Sequence, residues 1–179
     1  MDPGRAGHEA MHETSSELEE LQELLDRSIR GAGVHLRSII TPEHRLSAPA
    51  LCARLRGMRL LVVATVTGDG RPLAGPVDGY FIHGAWYFGS ARDSVRIGHL
   101  ARQPAVSATH VAGEDLAVSV HGRAELFDVA GPDHPELREA MLAHYLPLQG
   151  PAFGEWLERS DAVGAHIEAS RMFIFVAGG

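Results

Sequence analysis

The amino-acid sequence predicts a mainly β fold of the α+β class, an antiparallel barrel with peripheral helices, and three observations support this prediction. Runs of β-branched and aromatic residues recur from residue 60 onwards, a pattern typical of strands. Sequences rich in glycine, aspartate and proline separate most of these runs and indicate tight turns. Helical periodicity is confined to the N-terminal segment, one short crossing midway and one late stretch. Strands joined mostly by tight turns favour an antiparallel barrel.

The individual strands are predicted from short apolar runs bounded by turn residues. The run LLVVATV, residues 60–66, is mostly β-branched and typical of a buried strand. Glycines and a proline interrupt the second strand, which indicates bulges or an edge position. Gly122 is expected to mark a bulge in the fifth strand, and a final hairpin is expected over residues 164–177. The predicted strands before that hairpin are residues 60–66, 73–82, 86–90, 105–111 and 116–129.

The strongest helical pattern covers residues 14–30, where Ser15 or Ser16 can cap the first turn. Its apolar side chains fall on one face, so the helix is expected to pack against its own barrel or against a sister subunit. These apolar residues are Leu18, Leu21, Leu24, Leu25 and Ile29. Shorter helices are predicted from Ser47 to Gly57, over two turns before Pro104, and over residues 134–146.

The composition argues against several classes of partner. With 16 basic and 23 acidic residues the net charge is −7, and no basic cluster is long enough to follow a nucleic-acid backbone. No apolar run approaches the roughly 18 residues of a membrane span, and the N-terminus lacks a signal-peptide core. Cys52 is the single cysteine and is expected to be a buried, inert thiol. A chain without a disulfide suits a reducing compartment, so a cytoplasmic location without nucleic-acid or membrane partners is expected.

The N-terminal residues contain His8-Glu9-Ala10-Met11-His12, which has the H-E-x-x-H spacing of zinc peptidases. Such a motif arises readily by chance in a chain with 11 histidines. The G-x-x-H continuation that would supply a third ligand is missing, because Ser15 and Leu18 occupy those positions. Residues 1–13 are therefore expected to form a disordered leader, and no metal site is predicted.

Seven short motifs occur in a fixed order between Leu60 and Leu126. They are Ala64-Thr65-Val66, Asp69-Gly70-Arg71-Pro72, Pro76-Val77-Asp78, Trp86-Tyr87-Phe88, Ser94-Val95-Arg96, Gln103-Pro104-Ala105-Val106-Ser107 and Val120-His121-Gly122. In this order they resemble the FMN-binding split-barrel proteins, the pyridoxamine 5'-phosphate oxidase-like superfamily that includes deazaflavin-dependent relatives. The order of the motifs, more than any one of them, carries the resemblance.

The resemblance implies an antiparallel split β-barrel with peripheral helices, with an FMN-binding domain in residues 59–179 after N-terminal helices in residues 14–58. It also implies a homodimer with FMN in a groove between subunits, and hydride or electron transfer to a small-molecule substrate. The strand-two arginine and the C-terminal arginine–histidine signature of vitamin B6 oxidases are absent, so that reaction is not assigned. The alternatives left open are a deazaflavin-dependent reductase and a non-enzymatic flavin or haem carrier or sensor.

The loop sequence SARDSVR is the predicted phosphate site. It places Ser90, Arg92, Ser94 and Arg96 within seven residues at the start of a helix, where backbone N–H groups and the helix dipole favour an anion. Arginine can hold a phosphate through two parallel hydrogen bonds. The alternative interpretation is that Asp93 caps the helix while both arginines point into solvent.

Strand two supplies the remaining cofactor-binding candidates, Pro76, Val77, Asp78 and Gly79, which by the resemblance lie along the flavin ring. Asp78 is also the candidate catalytic residue, because it is a carboxylate on an otherwise apolar strand. It can face the polar edge of the ring or a substrate, or it can face solvent. An ionised carboxylate would repel a reduced, anionic flavin, so a functional Asp78 requires a hydrogen bond or a raised pKa.

Histidines offer an alternative chemistry. His110 and His121 lie on adjacent predicted strands and His166 lies on another, so two or three of them could converge on haem or a metal. Single strand histidines are more often satisfied structural residues, and haem is therefore kept only as an alternative cofactor.

Overall fold

The structure, a computed structural model, describes residues 13–178 and contains six strands that close into one barrel. The strand order is β1-β2-β3-β6-β5-β4, and every pairing, including that of β1 with β4, is antiparallel. The predicted antiparallel barrel with peripheral helices is confirmed. The strands are β1 (Met58–Val66), β2 (Pro72–Ile82), β3 (Ala85–Ala91), β4 (Ala105–Ala112), β5 (Leu116–Asp128) and β6 (Ala162–Val176).

Six α-helices and one short 3-10 turn, Pro42–His44, surround the barrel in the described part of the chain. Two of the helices, Val34–Ile39 and Pro151–Arg159, are not predicted from the sequence. Within residues 13–178, no helix is both long and apolar enough to cross a membrane. The helices are α1 (Ser15–Arg30), α2 (Val34–Ile39), α3 (Ala48–Arg54), α4 (Val95–Arg102), α5 (Pro135–Gln149) and α6 (Pro151–Arg159). The predicted leader, residues 1–13, and its H-E-x-x-H motif lie outside the described residues except for Glu13.

The predicted C-terminal hairpin is wrong, because β6 runs as one continuous strand along β5. The sequence between the two expected arms contains no glycine, proline or asparagine that would favour a tight turn. Ser170 is instead the extra residue of a β-bulge, since His121 pairs with Arg171 and Gly122 pairs with Ala169. A bulge is therefore present next to Gly122 as predicted, but its extra residue lies on β6 and not on the fifth strand. A Cβ at Gly122 would lie 2.0 Å from a backbone oxygen of β6, so only glycine fits there.

The N-terminal helices share one core with the barrel. Leu21, Leu24 and Leu25 of α1 and Leu51 of α3 pack in the same apolar cluster as the inward-facing strand residues. Of the two expectations for α1, docking on its own barrel is therefore the one observed. The N-cap of α1 is Thr14, one residue earlier than the serines proposed for it.

A second apolar layer lies outside the barrel, where α5 and α6 cover the outer faces of β2 and β3. Strand alternation directs Phe81 into the barrel and the neighbouring Tyr80 outward to these helices. The second cluster consists of Tyr80, Tyr87, Phe127, Val129, Leu137, Phe153 and Leu157. Because α5 and α6 pack against only part of this face, a cavity remains between them and the barrel wall.

Candidate functional site

The main cavity lies between the β2–β3 wall and the α5–α6 pair, and it has a volume of about 1040 Å³. Ligand pockets commonly measure about 300–1,000 Å³, so this space is large enough for a cofactor together with a substrate. Its walls are mostly apolar or aromatic, with a few polar side chains. The residues that line the cavity include Val77, Asp78, Tyr80, Ser90, Arg92, Tyr145, Phe153, Trp156 and Asp161.

Three polar side chains meet in the apolar part of this cavity. The Tyr145 hydroxyl of α5 donates a hydrogen bond to the Asp78 carboxylate of β2. Burial and then the adjacent Asp78 carboxylate raise the pKa of Tyr145 to about 12. The hydroxyl of Tyr80 is buried and has no hydrogen-bond partner within residues 13–178. An unsatisfied buried hydroxyl costs about 1–3 kcal/mol, so Tyr80 is the group in this wall that most needs a bound partner.

Asp78, the candidate catalytic residue, therefore lies on the cavity wall and carries the hydrogen bond that a functional role requires. The sequence indicated the carboxylate but gave no indication of its partner. Tyr145 is 67 positions further along the chain, and only the packing of α5 on β2 brings the two side chains together.

The two serines of the predicted phosphate loop organise the start of α4. The Ser94 hydroxyl caps the helix by accepting a hydrogen bond from the Ile97 N–H at 3.3 Å, and Ser90 Oγ donates to Ser94 Oγ at 3.0 Å. Asp93, the residue proposed as the cap in the alternative interpretation, does not serve as the N-cap. Both serine hydroxyls therefore stay beside the N-terminal turn of α4.

Arg92 is held by two carboxylates. Its Nε lies 2.6 Å from Asp161 Oδ1, and its Nη2 donates to Asp128 at the end of β5. The hydrogen bonds that Arg92 donates to Asp161 and then to Asp128 hold its pKa above the ordinary value. The guanidinium lines the cavity rim together with Asp161, but its charge is already neutralised there.

Arg96 has different surroundings, although it lies only one helical turn away. Its Nη2 lies 3.5 Å from the Pro76 carbonyl oxygen and 3.0 Å from the point where a Cβ on Gly75 would lie. Within the described residues no carboxylate lies at ion-pairing distance from this guanidinium, and its burial lowers its pKa. A half-buried cation without an anionic partner is electrostatically unsatisfied, so Arg96 favours an anion beside it.

The structure thus brings the Ser90 and Ser94 hydroxyls together, places the Arg96 guanidinium against Pro76 of β2, and directs Arg92 towards Asp128 and Asp161. Ser90 and Arg92 line the main cavity, whereas Ser94 and Arg96 lie outside its lining. Between the Arg96 contact at Pro76 and the orphan hydroxyl of Tyr80, β2 extends for about 13 Å at 3.3 Å per residue. A half-buried guanidinium and a mostly apolar cavity with a few polar groups therefore lie along one strand. Val77 packs against the barrel core and Gly79 is buried against Leu61. These two candidate cofactor-binding residues therefore offer a ligand their backbone groups more than their side chains.

The three histidines considered as haem or metal ligands do not converge. His110 is buried with its Nδ1 3.0 Å from the Leu60 carbonyl oxygen, and His121 is exposed with its Nδ1 2.8 Å from Ser107 Oγ. His166 lies elsewhere on the barrel, next to Glu125 and His134.

Sequence reasoning missed the side chains that α5 and α6 contribute to the cavity. The signal for α6 is present in PAFGEWLER, because Pro151 suits the first helical turn and Phe153, Trp156 and Leu157 repeat at helical spacing. Asp161 was also missed, because it follows the helix α6 that was not predicted.

Comparison with known proteins agrees with this architecture. A family model described as Pyridoxamine 5'-phosphate oxidase matches residues 48–173. No curated protein sequence matches the chain significantly.

Several solved structures have the same fold at low sequence identity. A conserved hypothetical protein from Mycobacterium tuberculosis matches with a TM-score of 0.63 and 20% identity, over 76% of this chain and 88% of its own. An F420 reductase matches with a TM-score of 0.51 and 18% identity, over 67% of this chain and 93% of its own. The haem storage protein HutZ from Vibrio cholerae matches with a TM-score of 0.51 and 15% identity, over 66% of this chain and 85% of its own.

At these identities the structural matches establish the fold alone. The family match covers most of the chain, including all six strands except the last three residues of β6. The chain therefore belongs to the pyridoxamine 5'-phosphate oxidase-like family of split-barrel proteins.

Proposed function

We propose that the protein binds FMN along β2 and acts as an oxidoreductase on a small organic molecule. When bound, FMN supplies hydride or electron transfer, and the protein supplies position, polar contacts and exclusion of water. The observation that carries the proposal is Arg96, a half-buried guanidinium without a carboxylate partner at the N-terminal turn of α4. Its place at the end of the predicted phosphate loop, SARDSVR, supports a role as the phosphate cation.

In this proposal the phosphate is held by Arg96, the hydroxyls of Ser90 and Ser94, and the free N–H groups that begin α4. Arg92 is assigned to the rim, because moving it onto a phosphate would break two ion pairs with carboxylates. The donor set therefore fits a phosphate monoester, which needs one guanidinium and several neutral donors.

The ring and substrate are assigned to the apolar part of the cavity. The backbone of Pro76 to Gly79 offers polar groups to a planar ring, and Tyr80 offers a buried hydroxyl without a partner. The Tyr145 hydrogen bond disperses the charge of Asp78, which reduces its repulsion towards an electron-rich ring. Asp78 and Tyr145 would orient the substrate, while Phe153 and Trp156 limit access of water.

A second copy of the chain completes this groove in the proposal. Strand β1 is apolar on both faces, whereas a strand with one face in solvent normally alternates between apolar and polar residues. Contiguous exposed apolar area of this kind marks an interaction surface. The exposed side chains that would meet in the dimer are Leu60, Val62 and Val111. Leu60 and Val62 pair across the ladder with Asp78 and Pro76, so this surface adjoins the proposed ring site.

A deazaflavin-dependent reductase is the alternative enzyme. A deazaflavin cofactor carries a longer anionic tail, which needs more free positive charge than one guanidinium provides. Because Arg92 is neutralised by Asp128 and Asp161, the described residues favour FMN. A non-enzymatic flavin or haem carrier or sensor is the second alternative.

The experiment compares FMN affinity of the wild-type chain with that of Arg96→Ala and a matched control, Arg102→Ala. Arg102 ends the same helix and is exposed, so its loss should leave affinity unchanged. Loss of a charge-assisted contact worth about 1.5–3 kcal/mol should weaken FMN binding by about 10- to 100-fold in Arg96→Ala. Equal affinity in wild type and Arg96→Ala would refute the phosphate assignment. Tighter binding of a deazaflavin or of haem would select the corresponding alternative.

A further inference from the structure

A cluster of metal-binding side chains lies on the outer face of the barrel, away from the α5–α6 cavity. Glu125 of β5 and His166 of β6 are directly opposed in the strand register, and His134 lies at the N-terminus of α5. Glu125 Oε2 is 3.3 Å from His134 Nε2 and 3.4 Å from His166 Nδ1. The three potential ligand atoms all lie within 4.8 Å of one another. None of the three residues lines the main cavity.

These separations match the dimensions of a small divalent site. Zinc binds imidazole nitrogen and carboxylate oxygen at about 2.0–2.2 Å, which places neighbouring tetrahedral ligands about 3.3–3.6 Å apart. Both contacts of Glu125 Oε2 already have this length. The two histidine nitrogens, which lie within 4.8 Å of each other, need to approach further to reach this spacing.

The hydrogen bonds of His134 provide a second, independent observation. Its Nδ1 lies 3.0 Å from Glu136 Oε1, and its Nε2 lies 3.3 Å from Glu125 Oε2. A neutral imidazole has one N–H and can donate to only one of these carboxylates. The other nitrogen then presents a lone pair to a carboxylate oxygen, an arrangement that a proton or a metal cation between the two atoms relieves.

The residues around the cluster fix the ligands in place. Glu136 accepts from the outer nitrogen of His134, as carboxylates commonly do for metal-binding histidines. Tyr87 stacks on His166 with the ring centroids 4.8 Å apart, and its hydroxyl lies 3.4 Å from His134 Nδ1. His134 has a φ of 50°, a conformation that costs energy for a residue other than glycine. Such strain often accompanies a functional position.

We propose that Glu125, His134 and His166 bind one Zn²⁺ ion with an open fourth position. Two imidazole nitrogens and one carboxylate oxygen form a donor set that suits zinc and neighbouring transition ions, whereas Mg²⁺ and Ca²⁺ prefer oxygen donors alone. The ion would fasten the start of α5 to β5 and β6, and the open position could take water or a small anion. The proposal does not depend on the flavin assignment.

The experiment uses the full chain with His8→Gln and His12→Gln, so that the N-terminal H-E-x-x-H sequence cannot supply the signal. The preparation carries no polyhistidine tag. Zn²⁺ affinity is measured by competition with a chromophoric chelator, and Co²⁺ binding is followed by its visible absorption. We expect one ion per chain, at least tenfold weaker binding in His166→Gln and in Glu125→Gln, and no change in the control His121→Gln. We also expect no competition from excess Mg²⁺.

Two further measurements guard against misfolded variants. The Glu125 side chain is 53% exposed, so Glu125→Gln should retain the thermal stability of the metal-free parent. Addition of Zn²⁺ should raise the melting temperature of the parent but not of this variant. Absence of zinc binding in the parent, or equal affinity in the parent and in folded Glu125→Gln, would overturn the proposal.

Discussion

Replacement of Ser28 by alanine tests how α1 stabilises the barrel. The Ser28 hydroxyl is buried, donates to the Leu24 carbonyl at 2.6 Å, and accepts a hydrogen bond from the Met172 N–H at 3.0 Å. Pairing of β6 with β3 stops at Ile167, so beyond that residue β6 has no strand neighbour on that side. Helix α1 takes the place of the missing strand, and Ser28 supplies the acceptor that the strand would have provided.

The expected magnitude follows from the group that is left without a partner. In Ser28→Ala the Leu24 carbonyl keeps its helical hydrogen bond, but the Met172 N–H loses its acceptor in a buried position. An orphaned buried donor costs about 1–3 kcal/mol. For a domain of this size that loss lowers the melting temperature by about 2–4 °C per kcal/mol.

The assay is urea unfolding followed by circular dichroism, together with hydrogen exchange of the Met172 amide. Ser16→Ala is the matched control, because Ser16 lies in the exposed first turn of the same helix. We expect a change within about 0.5 kcal/mol for this control. Equal stability of Ser28→Ala and Ser16→Ala, with an unchanged exchange rate at Met172, would refute the proposed role of α1.

Two further predictions concern pKa values. Burial and the Asp78 carboxylate raise the pKa of Tyr145 to about 12, so Asp78→Asn should lower this pKa towards its ordinary value of 10 without reaching it. Ultraviolet titration of the phenolate measures the change. An unchanged Tyr145 titration in Asp78→Asn would contradict the hydrogen bond between the two side chains. Burial opposes ionisation of Glu17, but hydrogen bonds from the helix N-cap and from His83 outweigh it and lower its pKa. The ionised Glu17 side chain therefore contributes its full stabilisation above the ordinary pKa of 4.5, and this stabilisation is lost as the pH falls through the lower pKa of the folded state. Glu17→Gln should reduce the acid dependence of unfolding stability in that range, whereas the exposed control Glu19→Gln should not, and identical pH profiles would contradict the capping arrangement.

The features that could be predicted from the sequence are those that depend on local pattern. The β-branched run in β1, the turn residues between β1 and β2 and the periodicity of α1 each determine a structure over a few residues. The order of the seven motifs added the long-range information that separate patterns lack, and it led to the family that the comparison confirms.

The failures arise where distant parts of the chain decide the outcome. The lack of turn-favouring residues around Ser170 does not by itself predict that β6 continues, because the bulge is accommodated only by pairing with β5. The orientation of Arg92 depends on Asp128 and Asp161, which are remote in sequence and are brought to it only by the folded barrel. The opposition of Glu125 and His166 likewise follows from the strand register, which no local pattern encodes.

Native mass spectrometry of the purified, untagged chain tests the central claim most directly. The account predicts a dimer that carries one FMN per chain, and loss of the flavin from Arg96→Ala while the dimer persists. A flavin-free chain that also fails to take up added FMN, or one that retains haem in its place, would contradict it.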